Sequence, residues 1–453
     1  MKPLSPMDLT FLFAERRNQP MHVGGLQLIT PPPDAAPDFV QKIAERIRDA
    51  SNPAAKAVAP FNQRLLQRFG VWFWTEDTDF DIEAHVRVLA LARPGRIREL
   101  LALVSQLHSN HLDRSRPLWE YYIIDGVENG RVAVYVKIHH ALVDGVAAMG
   151  LLMKSMTENP QARQLPPIWA KPLDSADAPG GARAVLAQLA QAAREQIGGL
   201  PFVARELYRT VREARSSGAL ANSFLAPRCI LNQRISASRR FAAQSYSLDR
   251  IRAVGKLRTA TVNDVVLAMC ASALRKYLLE LDALPEQSLV AMVPISMRRD
   301  DTATGNQVAM LLARLGTQLS DPLERLQTIQ HSVRASKERY AKMTPAQILS
   351  YAGMLTAPSN ISVSTGLATR FQAYNLTISN VPGPKKPLYW NGARMEGTYP
   401  VSIVADGQAM NITLNSYADK MEFGITACRR ALPHIQRLLD YLEQGLGELE
   451  AAA

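Results

Sequence analysis

Two adjacent histidines followed by an Asp-Gly pair are the residues of this chain whose types and spacing best suit chemistry. His139, His140, Asp144 and Gly145 stand where a strand-like run, 131–138, gives way to a helix-like run. A histidine takes and returns a proton near neutral pH, because its reference pKa is about 6.5. A lone histidine at a strand end is more often structural, but the whole group at this junction predicts an acid–base site.

Other chemistries suit this loop less well. The chain has 8 His and 3 Cys, and no third and fourth ligand cluster near the loop, so we expect no metal. No Gly-x-Ser-x-Gly elbow is present, which disfavours a serine hydrolase. His139 and Asp144 also satisfy the His-x-x-x-x-Asp pattern of membrane glycerolipid acyltransferases. The other motifs and the anchoring segments common in that class are not found.

Composition narrows the class of protein. The chain has 453 residues, 47% of them hydrophobic and 21% charged, which is typical of a folded protein with a sizeable core. No run reaches about 20 apolar residues and the N-terminus has no apolar signal region, so neither a membrane span nor a secretory signal is expected. Three scattered cysteines favour a reducing, cytoplasmic setting. The net charge of +11 favours anionic lipid surfaces or phosphorylated substrates, whereas no nucleic-acid motif is present.

The periodicity predicts a mixed α/β (α+β) chain in three parts: a domain at 1–170, a linker with interdomain helices at 171–235, and a domain at 236–453. Ser5 is expected to cap a helix that begins at Pro6, and Thr261 a helix over 262–280. Further expectations are strands at 22–29, 121–124, 131–138, 289–295, 375–379 and 411–417, and helices at 39–49, 95–111, 247–257 and 431–449.

The segment between the two domains carries its own predictions. Residues 166–182 are rich in Pro, Ala, Gly and Asp, which indicates an exposed linker. Residues 183–215 indicate a broken helix whose apolar stripe packs on the protein body. The alternative is a helix lying on lipid, since its polar side carries Arg194, Arg205, Arg209, Arg212 and Arg215.

Several ordered motifs together resemble one family, the bacterial wax ester synthase/diacylglycerol acyltransferases. The resemblance runs over nearly the whole chain, and each motif is weak alone, but their order and spacing are specific. In chain order the motifs are Leu4-Ser5-Pro6-Met7-Asp8, Pro117-Leu118-Trp119-Glu120, His139 to Gly145, Asn263-Asp264, Val293-Pro294-Ile295-Ser296-Met297-Arg298 and Ser379-Asn380-Val381-Pro382-Gly383-Pro384.

This resemblance implies two chloramphenicol-acetyltransferase-like domains, with a tunnel between them and the histidine loop near its middle. It implies transfer of a long-chain acyl group from acyl-CoA to a fatty alcohol or to diacylglycerol, without a cofactor. His140 is then the general base and His139 a supporting residue. By resemblance, Asp144 forms a structural ion pair with Arg298, although direct orientation of the imidazole is the alternative.

Other residues of the motifs have two interpretations each. Asn263 and Asn380 are candidates for the oxyanion site or the tunnel wall, and equally for a helix cap and a turn. Gly145 and the run Pro117, Leu118 and Trp119 are expected along the tunnel, with core packing as the alternative for the run. The expected partners are acyl-CoA, the acceptor lipid, and a membrane or lipid-droplet surface bound peripherally, the protein being a monomer or homodimer. The remaining alternatives are a lipid-binding protein of this fold and a condensation-type acyltransferase with another acceptor.

Overall fold

The computed structural model describes residues 1–49, 51–143, 145–170, 226–296, 308–344, 347–348, 350–351, 353–354 and 372–452. The predicted helices of 183–215 lie outside the described residues, and so do Asp144 and Arg298.

The first 170 residues fold into alternating strands and helices. The strands are β1 (Lys2–Pro3), β2 (His22–Thr30), β3 (Gln63–Arg68), β4 (Val71–Glu76), β5 (Val86–Ala90), β6 (Trp119–Val127) and β7 (Arg131–His139). The helices are α1 (Pro6–Ala14), α2 (Phe39–Arg48), α3 (Ile82–His85), α4 (Ile97–Ser109) and α5 (Gly145–Lys154).

The second half repeats this mixture. Its strands are β8 (Arg239–Ser247), β9 (Val290–Ser296), β10 (Val308–Arg314), β11 (Leu376–Val381), β12 (Tyr389–Trp390), β13 (Ala393–Val401), β14 (Met410–Tyr417) and β15 (Lys420–Cys428). Its helices are α6 (Leu248–Leu257), α7 (Val262–Glu280), α8 (Pro322–Ala341) and α9 (Arg437–Ala451).

Two six-stranded sheets form the body of the protein. The first has the order β12-β13-β2-β7-β6-β5 and the second the order β10-β9-β11-β14-β15-β8, while β1, β4 and β3 form a small third sheet. The first sheet crosses the predicted division into residues 1–170 and 236–453, because two of its strands, β12 and β13, come from the second range. β13 pairs antiparallel with β2, from Arg394 opposite Thr30 to Val401 opposite Gly24. The backbone groups on the outer edge of β2 thereby gain partners that the first 170 residues do not supply.

The second sheet is joined to the first half at its β8 edge. The backbone N–H groups of Arg239 and Phe241 donate to the hydroxyls of Ser109 and Ser105 on α4, both at 2.9 Å. The helix thus satisfies donors of an edge strand that would otherwise face solvent. Hydroxyl side chains of α4 therefore join the two halves.

The helix signals in the sequence are confirmed. Ser5 caps α1 through a capping box with Asp8, and Thr261 caps α7 through the same arrangement with Asp264. α7 is largely buried against the second sheet, in one apolar cluster with residues such as Leu376 and Ile412. Among the described residues no single helix is long and apolar enough to span a membrane, although the pair α6 and α7, bent by 103°, passes that test on length and composition.

Several element boundaries shift by up to three residues from expectation, and two differences are larger. The final helix begins at Arg437 rather than at residue 431, because residues 429–436 form turns after β15. The expected exposed linker is folded over its first residues. Ile168 and Trp169 are buried, and Trp169 stacks on Trp119 with ring centroids 5.1 Å apart while its indole N–H donates to the Ala54 carbonyl. Burial of an indole ring outweighs the turn-forming composition of that stretch.

Candidate active site

The histidine loop begins where β7 ends. Alternation along β7 places Val132, Val134, Val136 and Ile138 in one apolar cluster, so the chain reaches His139 with its side chain on the opposite face. The His139 carbonyl then accepts the N–H groups of Leu142 at 2.9 Å and Val143 at 3.3 Å, which closes a tight turn. α5 begins at Gly145, so the strand–loop–helix prediction is confirmed in outline.

His139 is a buried member of the loop, with 1% of its surface exposed. Its Nδ1 accepts the N–H of Ala141 at 3.1 Å, which leaves the proton of the neutral ring on Nε2. Nε2 lies 3.5 Å from Oε1 of Glu15, an ion-pair distance longer than a good hydrogen bond. The ring is therefore fixed from both sides and directed away from solvent.

Glu15 gathers several groups around that histidine. Its carboxylate accepts from Arg114 at 2.8 and 3.0 Å and from the N–H of Met21 at 3.2 Å, with His111 Nδ1 at 3.4 Å. Burial, the largest single influence, raises the pKa of Glu15, but its contacts with His139, Arg114 and Met21 together lower it to about 2. Glu15 is thus a carboxylate at any pH at which the protein works.

His140 is held differently from its neighbour. Its backbone N–H donates to the Met21 carbonyl at 2.9 Å, and its half-buried ring stacks on Phe11 with centroids 3.9 Å apart and planes at 18°. Phe11 belongs to α1, and Met21 lies in the connection from α1 to β2. Helix α1 and this connection therefore position the ring predicted to be the general base.

A second group of buried polar side chains lies on the same face of the first sheet. His22 faces His139 across the β2–β7 ladder, and its Nε2–H donates to the carbonyl of His108 at 2.8 Å. His108 Nε2–H donates to the Ser402 carbonyl at 3.3 Å, and its Nδ1 accepts the Tyr135 hydroxyl at 2.7 Å. Burial lowers the pKa of His22 well below its usual value and that of His108 to about 3, with nearby positive charge adding to both. Both imidazoles are therefore neutral supports.

Lys137 supplies a buried positive charge two residues before the loop. Its ammonium lies 2.6 Å from Glu120 and donates to the carbonyls of Leu107 and Asn110 at the end of α4, both at 3.1 Å. Burial lowers the pKa of Lys137, and the Glu120 carboxylate opposes that shift. The pair fixes the end of β7 against α4.

The Pro-Leu-Trp run lies directly beside the loop. The Leu118 carbonyl accepts the His139 N–H at 2.9 Å, and the indole N–H of Trp119 donates to the Phe61 carbonyl at 2.8 Å. Pro117 is buried, and Leu118 and Trp119 are fully so, within two different apolar clusters. Core packing accounts for these contacts, and a place in a tunnel wall stays a prediction.

Two asparagines of the second half do not have the structural roles, a helix cap and a turn, that were the alternatives to an oxyanion site. The cap of α7 is formed by Thr261 and Asp264, while the half-buried Asn263 is the second residue of the helix. Asn380 lies inside β11 opposite Leu414 rather than in a turn, because the parallel ladder with β14 continues to Val381. Their participation in an oxyanion site stays a prediction.

Sequence reasoning missed Glu15, Lys137 and His108 as parts of this site. Lys137 is a charged residue in an otherwise apolar strand, whereas Glu15 and His108 stand among other polar residues, and no motif spacing marks any of the three. The available signal was the alternation along β7, which places Lys137 on the face of His139.

The architecture defines the class of two-domain acyltransferases with a chloramphenicol-acetyltransferase-like fold, in agreement with the prediction. A condensation domain of the calcium-dependent antibiotic synthetase matches 99% of this chain and 96% of its own with a TM-score of 0.60 at 14% identity, which shows the fold alone. Within that class, the chain belongs to the wax ester synthase/diacylglycerol acyltransferase family. The model of the family's catalytic domain matches residues 4–266, and that of its C-terminal domain matches residues 304–450.

Individual relatives agree over their full lengths. The chain is 47% identical to an O-acyltransferase of Acinetobacter baylyi, covering 98% of this chain and 96% of that one. It is 44% identical to a putative diacylglycerol O-acyltransferase of Mycobacterium tuberculosis, covering 99% of each. The solved wax ester synthase/diacylglycerol acyltransferase of Marinobacter aquaeolei is 48% identical, with a TM-score of 0.82 over 100% of this chain and 99% of that one. The chain is therefore an O-acyltransferase.

Proposed function

We propose that this protein transfers a long-chain acyl group from acyl-CoA to the hydroxyl of a fatty alcohol or of diacylglycerol, with His140 as general base. The observation that carries the proposal is the mounting of His140. Its ring stacks on Phe11, and its backbone N–H donates to the Met21 carbonyl. The residue before it, His139 at the end of β7, lies at ion-pair distance from Glu15. An imidazole fixed in this way meets the positional demand of proton transfer.

The reaction needs no covalent enzyme intermediate, because a thioester is already activated. The acceptor oxygen attacks the thioester carbonyl carbon as His140 takes the hydroxyl proton. The tetrahedral intermediate then collapses, the C–S bond breaks, and the imidazolium returns its proton to the CoA thiolate. The products are an ester and free CoA, with the enzyme unchanged.

The surrounding residues act on position and charge. His139 and Glu15 hold the loop, and an ion pair of Asp144 with Arg298 is proposed to brace it from the second half. Asn263 and Asn380 are proposed as donors to the developing oxyanion, and Pro117, Leu118 and Trp119 as a wall that keeps water out. Exclusion of water favours the acceptor, because hydrolysis of the thioester competes with transfer.

The setting of the reaction follows from charge and substrate. Both substrates and one product, the ester, are lipids or bear long acyl chains, and the protein carries a net charge of +11. We propose a cytoplasmic protein that binds the inner membrane or lipid inclusions peripherally, as a monomer or homodimer. Flotation with anionic vesicles should weaken as salt rises. Flotation equal to that of a non-binding control protein would contradict peripheral binding.

The test is thiol release from palmitoyl-CoA, measured with hexadecanol, with diacylglycerol and without acceptor, and with the products separated by thin-layer chromatography. His140→Ala should abolish acceptor-dependent ester formation, whereas His331→Ala, an exposed histidine on α8, should leave it unchanged. The comparison of acceptors ranks alcohol against diacylglycerol. Thiol release without ester, or ester formation indifferent to His140, would refute the assignment.

A further inference from the structure

A cavity of about 700 Å³ lies at the start of β8, outside the residues described for the histidine loop. Three arginines, Arg228, Arg234 and Arg430, contribute to its wall. The polar side chains of Asn232, Gln233 and Ser236 complete most of the lining, which includes no carboxylate among the residues that the structure describes. The volume falls within the range of sites for small molecules.

The chemistry of this lining suits phosphate. Guanidinium groups bind phosphate oxygens through paired N–H donors, and the exposed amide of Gln233 offers a further donor. Asp406 is 6% exposed and accepts the backbone N–H of Ile235 at 2.9 Å. This carboxylate is therefore engaged inside the protein and does not belong to the lining.

The floor of the cavity is rigid. The Asn232 side chain donates to the carbonyls of Gly407 at 2.9 Å and Asn375 at 3.2 Å, and its oxygen accepts the Asn375 amide at 2.8 Å. A floor held by buried hydrogen bonds presents a fixed surface without ordering cost on binding. This distinguishes the cavity from a chance grouping of surface arginines.

The cavity is also tied to the histidine loop. Asn18 donates to the carbonyl of Ile235 in the cavity wall at 3.1 Å, and its own carbonyl accepts Arg239 at 2.7 Å. Asn18 lies in the same short connection as Glu15 and Met21, which contact His139 and His140. The cavity therefore adjoins the part of the protein that holds the two histidines.

We infer that this cavity, the arginine cavity, binds the phosphate groups of the nucleotide end of acyl-CoA. The inference rests on the proposed function, which requires that substrate. A concave, rigid site with several donors suits a compact cluster of phosphates better than it suits a flat lipid surface. A phospholipid head group offers the same chemistry, so the experiment separates the two sources.

The first measurement is calorimetric binding of adenosine 3′,5′-bisphosphate to the whole protein, in parallel with flotation on phosphatidylglycerol vesicles. Arg228→Ala and Arg430→Ala should each weaken nucleotide binding about 10-fold, and the double variant more. Arg429→Ala is the matched control, because Arg429 is an exposed neighbour outside the cavity lining. Both cavity arginines are exposed, so the variants are expected to fold.

The second measurement is kinetic. The same variants should raise KM for palmitoyl-CoA with little change in kcat, and should leave S-palmitoyl pantetheine, which lacks the nucleotide, unaffected. Equal nucleotide binding by all variants, or loss of vesicle binding alone, would overturn the inference. Nucleotide binding that depends on the arginines in a protein without acyl transfer would instead refute the proposed function and leave the cavity assignment standing.

Discussion

Replacement of Glu15 by glutamine tests the electrostatic support of the histidine loop. The change keeps the shape of the side chain and removes the charge that faces His139 and Arg114. Glu15 is 4% exposed, and its pKa falls from the usual 4.5 to about 2. That difference corresponds to about 3 kcal/mol favouring the folded protein when the carboxyl is ionised. We expect Glu15→Gln to lower the free energy of unfolding at pH 7 by up to this amount.

The pH dependence gives this prediction its sign. A carboxyl with a lowered pKa stabilises the fold above its unfolded value near 4.5, and this contribution is lost as the pH falls towards 2. By pH 3.5 the wild type should have lost about 1 kcal/mol of it, whereas the Glu15→Gln protein loses none from this site. The gap between the two proteins therefore narrows in acid. Urea unfolding at pH 7, 4.5 and 3.5 measures it directly.

Activity provides the second readout for the same substitution. If Glu15 positions the loop, ester formation should fall about 10- to 100-fold in kcat while KM for palmitoyl-CoA changes little. The control is Glu158→Gln, which breaks the exposed ion pair with Lys386 and should change neither stability nor activity appreciably. Wild-type stability at pH 7 together with wild-type kcat would refute the electrostatic account of Glu15.

Three further substitutions test other parts of the structure. Lys137→Met should cost about 3 kcal/mol of unfolding free energy in urea titration, because Glu120 is left half-buried without its ammonium partner. Gly383→Ala should lower the melting temperature by several degrees, since an added Cβ would overlap the Ser416 carbonyl oxygen. Glu422→Gln should stabilise the protein above pH 7, by on the order of 2 kcal/mol. Burial, opposed by several hydrogen bonds, raises the pKa of Glu422 to about 7, so the wild type loses stability as the pH rises through that value.

Two of these substitutions have a matched control, and each of the three has a result that would contradict it. Lys386→Met removes an exposed ammonium, and equal stability of the two lysine variants would argue against the buried pair. Gly447→Ala adds a Cβ to open space in α9, so it should be neutral or stabilising. An unchanged melting temperature for Gly383→Ala would mean that the β14 backbone shifts to make room for the added Cβ at little cost. A Glu422→Gln protein no more stable than wild type at pH 8 would show that the carboxyl ionises freely.

Local signals predicted the local structure well. Ser5 and Thr261 each mark the start of a helix, and the alternation along β7 marks the strand that carries the histidines. Each of these signals depends on neighbouring residues only. The strand–loop–helix setting of His139 and His140 followed from the same short-range patterns. Their chemistry was predicted from residue type and spacing.

Long-range pairing is what the sequence did not reveal. No periodicity shows that β13 joins the first sheet beside β2, because a strand has the same alternation wherever it docks. Glu15 was equally hidden, since its meaning depends on Arg114 and on His139, which the chain brings together only after folding. The placement of Asn380 in a strand shows the reverse error, in which a Gly/Pro-rich neighbourhood suggested a turn two residues too early.

The late arrival of β13 has a consequence for synthesis of the protein on the ribosome. The hydrogen-bonding edge of β2 stays without its partner until Val401 has been translated, long after the histidine loop has emerged. An open edge of this kind recruits other nascent chains, which makes the growing polypeptide a natural client of holding chaperones. A gene split near residue 235 would yield an N-terminal fragment that aggregates alone. The same fragment should become soluble when the C-terminal fragment is produced beside it and donates the missing strand.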